Sequence, residues 1–108
     1  VTGVQTCALP ILSGMDLKDF KESLDRNTPP EDLGRALQAL WHQAKGEWDT
    51  AHRLVQSQDD GIGAWVHAFL HRVEGDSSNA AYWYRRAGKP ISSAPLNEEW
   101  EEIVSALL

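Results

Sequence analysis

The hydrophobic residues of this chain recur with a helical period from residue 16 onward. Leu17, Phe20 and Leu24 stand three and four residues apart among charged residues, which predicts an amphipathic helix over 16–26. The same spacing predicts helices with apolar faces over 33–44, 48–57, 62–74, 80–87 and 97–108. The alternating polarity and the β-branched runs of strands are absent, so the expected fold class is all-α.

Residues that cap or stop helices mark the expected ends of these segments. Thr28-Pro29-Pro30-Glu31 combines a capping hydroxyl, prolines and a glutamate, and it predicts the start of the second helix. Gly46 and Gly88 follow helices as left-handed stop residues, and Asn97 is expected to cap the last helix. The segment over 62–74 is apolar on most sides, so we expect it to be the buried, central helix.

A displacement of 29 residues superposes two stretches of the chain. It places His42 on His71, Gly46 on Gly75, Glu47 on Asp76, Ala51 on Ala80 and Val55 on Tyr84. In each stretch a helix ends at a glycine and an acidic residue follows. An alanine is then the first residue of the apolar face with which the next helix packs against the preceding one. Each helix pair leaves an apolar face uncovered, so the pairs are expected to stack, with the helices at 16–26 and 97–108 as caps.

The second stretch carries a recognisable combination of small and aromatic residues. Its residues are Ala64, Trp65, Ala68, Gly75, Asp76, Ala80, Tyr84 and Ala87, and the run Tyr82-Trp83-Tyr84-Arg85-Arg86-Ala87. This pattern resembles the tetratricopeptide and Sel1-like helical repeats over residues 33–90. The first stretch keeps Ala39, Gly46 and Ala51, but Gln58 stands where an alanine is expected, and the interval is shorter than the usual ~34 residues. The resemblance implies a short array of helix pairs or a compact helical bundle.

The resemblance also implies a function in protein or peptide binding, with a partner that the residues do not identify. In the family, the first helix of each pair lines a groove. The corresponding positions here are Ala36, Leu40, Gln43, Ile62, Trp65, Phe69 and Arg72. Trp65 and Phe69 are expected to be exposed anchors for the partner, and Arg72 is expected to bind an acidic group.

Histidines suggest an alternative, a site for a metal ion or a small molecule. His67 and His71 lie four residues apart on one helical face, a spacing at which two imidazoles reach the same Zn²⁺. A third ligand such as Glu74 or His42 would have to come from the fold, so the alternative site is His42, His67 and His71. A structural role is favoured, with the imidazoles hydrogen-bonded inside an aromatic layer.

Other chemistry has little support in the sequence. Asp59-Asp60-Gly61 lacks the ligand pattern of an EF-hand loop, and Gly61-Ile62-Gly63 lacks the third glycine of a dinucleotide loop. No serine stands in a nucleophile elbow, so we expect no catalytic activity and no cofactor.

The charge of the chain argues against nucleic acid and membranes as partners. Ten basic and sixteen acidic residues give a net charge of −6 for 108 residues, which form one domain at most. The acidity lies toward the ends, because residues 33–90 contain six acidic and seven basic side chains. No apolar run approaches the ~18 residues that cross a bilayer, so a cytoplasmic location is expected.

Residues 1–11 differ from the sequence with a helical period that follows them. They are uncharged, have no helical period and resemble a translated sequencing-library adapter. A signal peptide is the rival interpretation, but the basic residues that would begin it are absent. We therefore expect 1–14 to be a non-native or disordered leader that includes Cys7, with Met15 as a plausible native start and 15–108 as one domain.

Overall fold

A computed structural model describes residues 15–108 of the chain, and the expectations for residues 1–14 lie outside the described residues. The elements are α1 Leu17–Ser23, α2 Arg35–Ala44, α3 Trp48–Gln56, α4 Gly61–Glu74, α5 Ser77–Ala87 and α6 Leu96–Leu107. Residues 15–108 contain no strand, so the all-α fold class is confirmed. Within the same residues, no helix has both the length and the apolar character needed to span a bilayer.

Two helix pairs form the centre of the fold. Short turns reverse the chain between α2 and α3 and between α4 and α5, and the helices of each pair pack side by side. The central helix is α4, which packs against α2, α3, α5 and α6. The last helix, α6, lies on α2 and α4, and α1 packs against α6. One continuous hydrophobic core connects all six helices.

Positions related by the 29-residue displacement have matching environments. Gly46 and Gly75 follow the first helix of each pair with φ of 84° and 88°, a left-handed conformation that strains any residue with a Cβ. Ala51 and Ala80 are both buried, which allows the second helix of each pair to approach closely. The compact bundle is therefore built from two similar helix pairs.

Three helix starts differ from the expectation. Thr28–Glu31 does not begin a helix, because the left-handed turn at Asp32, with φ of 68°, intervenes before α2 starts at Arg35. The helix expected from residue 80 begins at Ser77, since the Asp76 carboxylate accepts a hydrogen bond from the backbone of Asn79. The last helix follows Pro95, so the expectation that Asn97 caps it is wrong.

A buried ion pair joins α4 to α6. The Glu99 carboxylate is 1% exposed and accepts hydrogen bonds from the guanidinium of Arg72 and the hydroxyl of Tyr84. Arg72 also donates to the carbonyl of Ala94 at 2.7 Å, so the same side chain fixes the loop before α6. Burial and the neighbouring Glu99 carboxylate raise the pKa of Tyr84, which keeps its hydroxyl protonated as a donor.

Arg72→Met tests the contribution of this pair to stability. The variant leaves the Glu99 carboxylate buried without its cation, so we expect a loss of about 2–4 kcal/mol in the free energy of unfolding. Urea unfolding followed by circular dichroism measures the loss. Arg86→Met is the matched control, because Arg86 pairs at 3.3 Å with an exposed Asp59, and its loss should stay below about 1 kcal/mol. Equal losses in the two variants would contradict the structural role of Arg72.

Candidate functional site

Three imidazoles converge where α3 packs against α4. His52 comes from α3, and His67 and His71 come from successive turns of α4. Their potential ligand atoms all lie within 4.8 Å of one another. Nε2 of His52 and Nε2 of His67 are 3.0 Å apart, so one ring donates a hydrogen bond and the other accepts it. We call these three residues the histidine cluster.

Glu74 orients the third member of the histidine cluster. Its carboxylate lies 2.6 Å from Nδ1 of His71, one helical turn away on α4. This contact engages Nδ1 and leaves Nε2 as the ring nitrogen that a metal ion could bind. A carboxylate on the second nitrogen of a ligating imidazole is a common arrangement in metal sites, because it fixes the tautomer and the direction of the ring.

Two tryptophans enclose the histidine cluster. The indole of Trp48 stacks on His52 with centroids 4.8 Å apart, and its Nε1 donates to the carbonyl of Leu70 at 2.7 Å. On the other side, the indole of Trp83 stacks on His67 with centroids 3.9 Å apart. These contacts hold the imidazole planes and surround the cluster with apolar surface.

The surroundings keep two imidazoles neutral. Burial lowers the pKa of His67 to about 4, and the proximity of His52 and His71 adds to the shift. Burial, followed by the repulsion from His71, also lowers the pKa of His52. A neutral imidazole binds a metal ion through its unprotonated nitrogen, so the two rings need no net loss of a proton at neutral pH. The ring that donates the Nε2–Nε2 hydrogen bond has to carry its proton on Nδ1 instead before its Nε2 can bind an ion.

The dimensions of the histidine cluster are close to those of a zinc site. With Zn–N bonds of about 2.0–2.1 Å, the ligand nitrogens of a tetrahedral site lie about 3.3–3.4 Å apart. The His52–His67 separation is near this value, and a ligand atom of His71 lies within 4.8 Å of the other two. Three nitrogen donors favour zinc and related transition metals over Mg²⁺ or Ca²⁺, which prefer oxygen.

The structure does not bring His42 together with His67 and His71, the three residues of the alternative site. His42 lies away from the cluster at the end of α2, where its Nδ1 is 2.7 Å from the carboxylate of Glu47. His52 takes its place, although the sequence did not predict it as a candidate ligand. The available signal was the spacing of Trp48 and His52, which are four residues apart on α3 and therefore share a face. The expected aromatic layer is present around His67.

A second group of possible ligands overlaps the cluster at His71, together with Glu74 and Asp76. Both carboxylates already have partners, since Glu74 contacts Nδ1 of His71 and Asp76 caps α5. The group is therefore accounted for by local structure.

The expectation of exposed anchors in the peptide groove is wrong. Trp65 is 8% exposed and Phe69 is 1% exposed, and Ala36 and Leu40 are buried with them. The reason is that α6 covers the face formed by α2 and α4, where Trp100 donates from Nε1 to the carbonyl of Leu40 at 3.0 Å. These four residues therefore belong to the hydrophobic core, to which the chain's own last helix also contributes.

The other groove positions have separate environments. Arg72 binds Glu99 and the backbone of the loop before α6, so it does not face an open groove. Gln43 is half-buried, and its side-chain oxygen lacks a hydrogen-bond partner among the described residues. Ile62 is 45% exposed and borders a surface cleft with Trp65 and the C-terminal turn of α6.

His67→Phe tests the depressed pKa of His67 in the metal-free protein. The unfolded chain binds a proton at its ordinary pKa of about 6.5 while folded His67 stays neutral, so stability falls as the pH drops from about 6.5 to 4. We expect this imidazole to account for about 1–3 kcal/mol of the fall, and the phenyl ring should remove that part. Urea unfolding with a chelator, repeated between pH 4 and 7, measures it. Parallel pH curves for the two proteins would contradict the assignment.

Comparisons with known proteins leave the histidine cluster to be interpreted from its geometry. No family model, no curated protein and no solved structure matches this chain.

Proposed function

We propose that this domain binds a transition-metal ion, with Zn²⁺ as the reference ion, through His52, His67 and His71. The observation that supports the proposal is the convergence of three imidazole nitrogens from two helices within 4.8 Å. Two of the ligands come from α4 and one from α3, so the ion would be bound where the two helix pairs meet.

The energetics of burial favour this interpretation over packing alone. Each buried imidazole loses hydration, and apolar side chains of similar size would fill the same space without that loss. The hydrogen bond between His52 and His67 satisfies one nitrogen of each ring, and Glu74 satisfies one nitrogen of His71. A bound ion would replace the hydrogen bond between the two Nε2 atoms and would give all three polar side chains a common partner.

Zinc titration with matched histidine variants tests the proposal. We expect the chain to bind one equivalent of Zn²⁺, and His52→Asn to lose at least about tenfold in affinity because one of three protein ligands is removed. His42→Asn is the control, since His42 contacts Glu47 outside the cluster, and it should bind as the parent chain does. Isothermal titration calorimetry measures both. Cys7→Ser in every sample removes a thiolate that would compete for zinc.

Either of two results would overturn the proposal. A chain that binds no zinc, or that binds it equally well with and without His52, has no site at the histidine cluster. Circular dichroism of His52→Asn shows that a loss of binding does not come from unfolding, and this variant is suitable because His52 is half-buried.

Protein binding is the second candidate function, at a surface smaller than the groove that the resemblance implies. The cleft beside α4 is lined by exposed Ile62 and by Trp65, and the Lys89 ammonium lies 4.1 Å from the Trp65 ring centroid. Asp60 also lines the cleft, where its carboxylate caps α4. Such a surface suits a short segment with an apolar side chain next to an acidic one.

A random peptide library displayed on phage tests this second function. Panning against the chain should enrich peptides with apolar and acidic residues, and Ile62→Asp should lose them because it places a carboxylate in the apolar part of the cleft. Ser77→Asp, an exposed position at the start of α5, is the charge-matched control. Peptides that bind all three proteins equally would contradict this function.

A further inference from the structure

The histidine cluster lies at the base of a gap between two helices. Both α3 and α5 pack against α4, but within residues 15–108 they do not pack against each other. His67 on α4 spans the gap, because its ring contacts His52 on one side and Trp83 on the other. The walls of the gap therefore come from α3 and α5, and its base comes from α4.

Solvent reaches this gap from the side of α3 and α5. Trp48, His52 and Trp83 are half-buried, whereas His67 and His71 on α4 are 5% and 6% exposed. The imidazoles are thus buried toward the core and partly accessible toward the gap.

The described residues supply three ligands where a tetrahedral ion needs four. The group at this place consists of His52, His67 and His71, and the neighbouring carboxylate of Glu74 already contacts Nδ1 of His71. A closed structural zinc site has four protein ligands, whereas three protein ligands leave one position for water or another small molecule.

The charge balance selects the kind of molecule that would bind there. Three neutral imidazoles add no negative charge to the coordination shell of the ion, and the two neighbouring carboxylates, Glu74 and Asp49, lie outside the three direct ligands. The apolar indoles of Trp48 and Trp83 lower the local dielectric constant, so the attraction for an anion is stronger than in water.

We propose that the ion held by His52, His67 and His71 keeps its fourth coordination position open to a small monodentate anion that exchanges with water. This inference rests on the proposed metal binding and adds a ligand site to it. The anion coordinates the ion directly and lies in the gap between α3 and α5.

Cobalt substitution separates the two proposals. Co²⁺ has visible ligand-field bands that respond to its ligands, so the full chain carrying Cys7→Ser is loaded with Co²⁺ and titrated with sodium azide. We expect the bands to shift and to saturate with azide. Sodium perchlorate at the same ionic strength coordinates weakly and should leave the bands unchanged.

Each outcome has a separate meaning. Uptake of Co²⁺ with no response to azide overturns the open fourth position and leaves the metal site intact. An equal response to perchlorate is an effect of ionic strength and also overturns the open position. Failure to take up Co²⁺ overturns both proposals. His42→Asn, which leaves the histidine cluster unchanged, should reproduce the azide response of the parent chain.

Discussion

The helix α4 is apolar around most of its circumference, and water has to be excluded from all of those sides at once. Nine consecutive residues of this helix, from Gly63 to His71, are buried. One neighbouring helix covers only one stripe of such a cylinder, so α4 needs several neighbours. The packing of α2, α3, α5 and α6 around it meets this requirement, and the arrangement of the other helices follows from it.

Polar residues on α4 then depend on those neighbours for partners. His67 meets His52 from α3, and Arg72 meets Glu99 from α6. Burial of these groups without partners would cost several kilocalories per mole, so each contact specifies how one neighbouring helix sits on α4. The histidine cluster and the ion pair thus follow from the same burial of α4. The histidine cluster forms where α4 meets the second helices of the pairs, and the ion pair forms where α4 meets the C-terminal helix.

Sequence periodicity predicted the helices because burial of apolar stripes dominates local structure here. It failed at Thr28–Glu31, where a capping pattern read from four residues was overridden by the turn at Asp32. The predicted groove failed for a longer-range reason. The groove positions implied by the family resemblance assume that this face of the helices is open. The sequence around Trp65 and Phe69 does not indicate that α6 folds back over them.

Only the part of the histidine cluster that lies on a single helix could be predicted from the sequence. His67 and His71 share a face because they are four residues apart, whatever surrounds them. The repeat aligns His42 with His71, and aligned residues occupy equivalent places in successive helix pairs, so His42 lies beside Glu47 and not beside His71. His52 joins the cluster through the packing of α3 on α4, which the spacing within one helix does not encode.

The histidine cluster lies between the two helix pairs, so an ion bound there would affect how the pairs pack against each other. α3 belongs to the first pair and α4 to the second, so an ion that binds His52 and His67 joins the pairs directly. Without an ion, one hydrogen bond of about 1 kcal/mol connects these two side chains. At a free-ion concentration 100 times the dissociation constant, binding adds about 2.7 kcal/mol to the folded state. That contribution exceeds the hydrogen bond and acts between the pairs, so ion occupancy would stabilise their packing more than the internal structure of either pair.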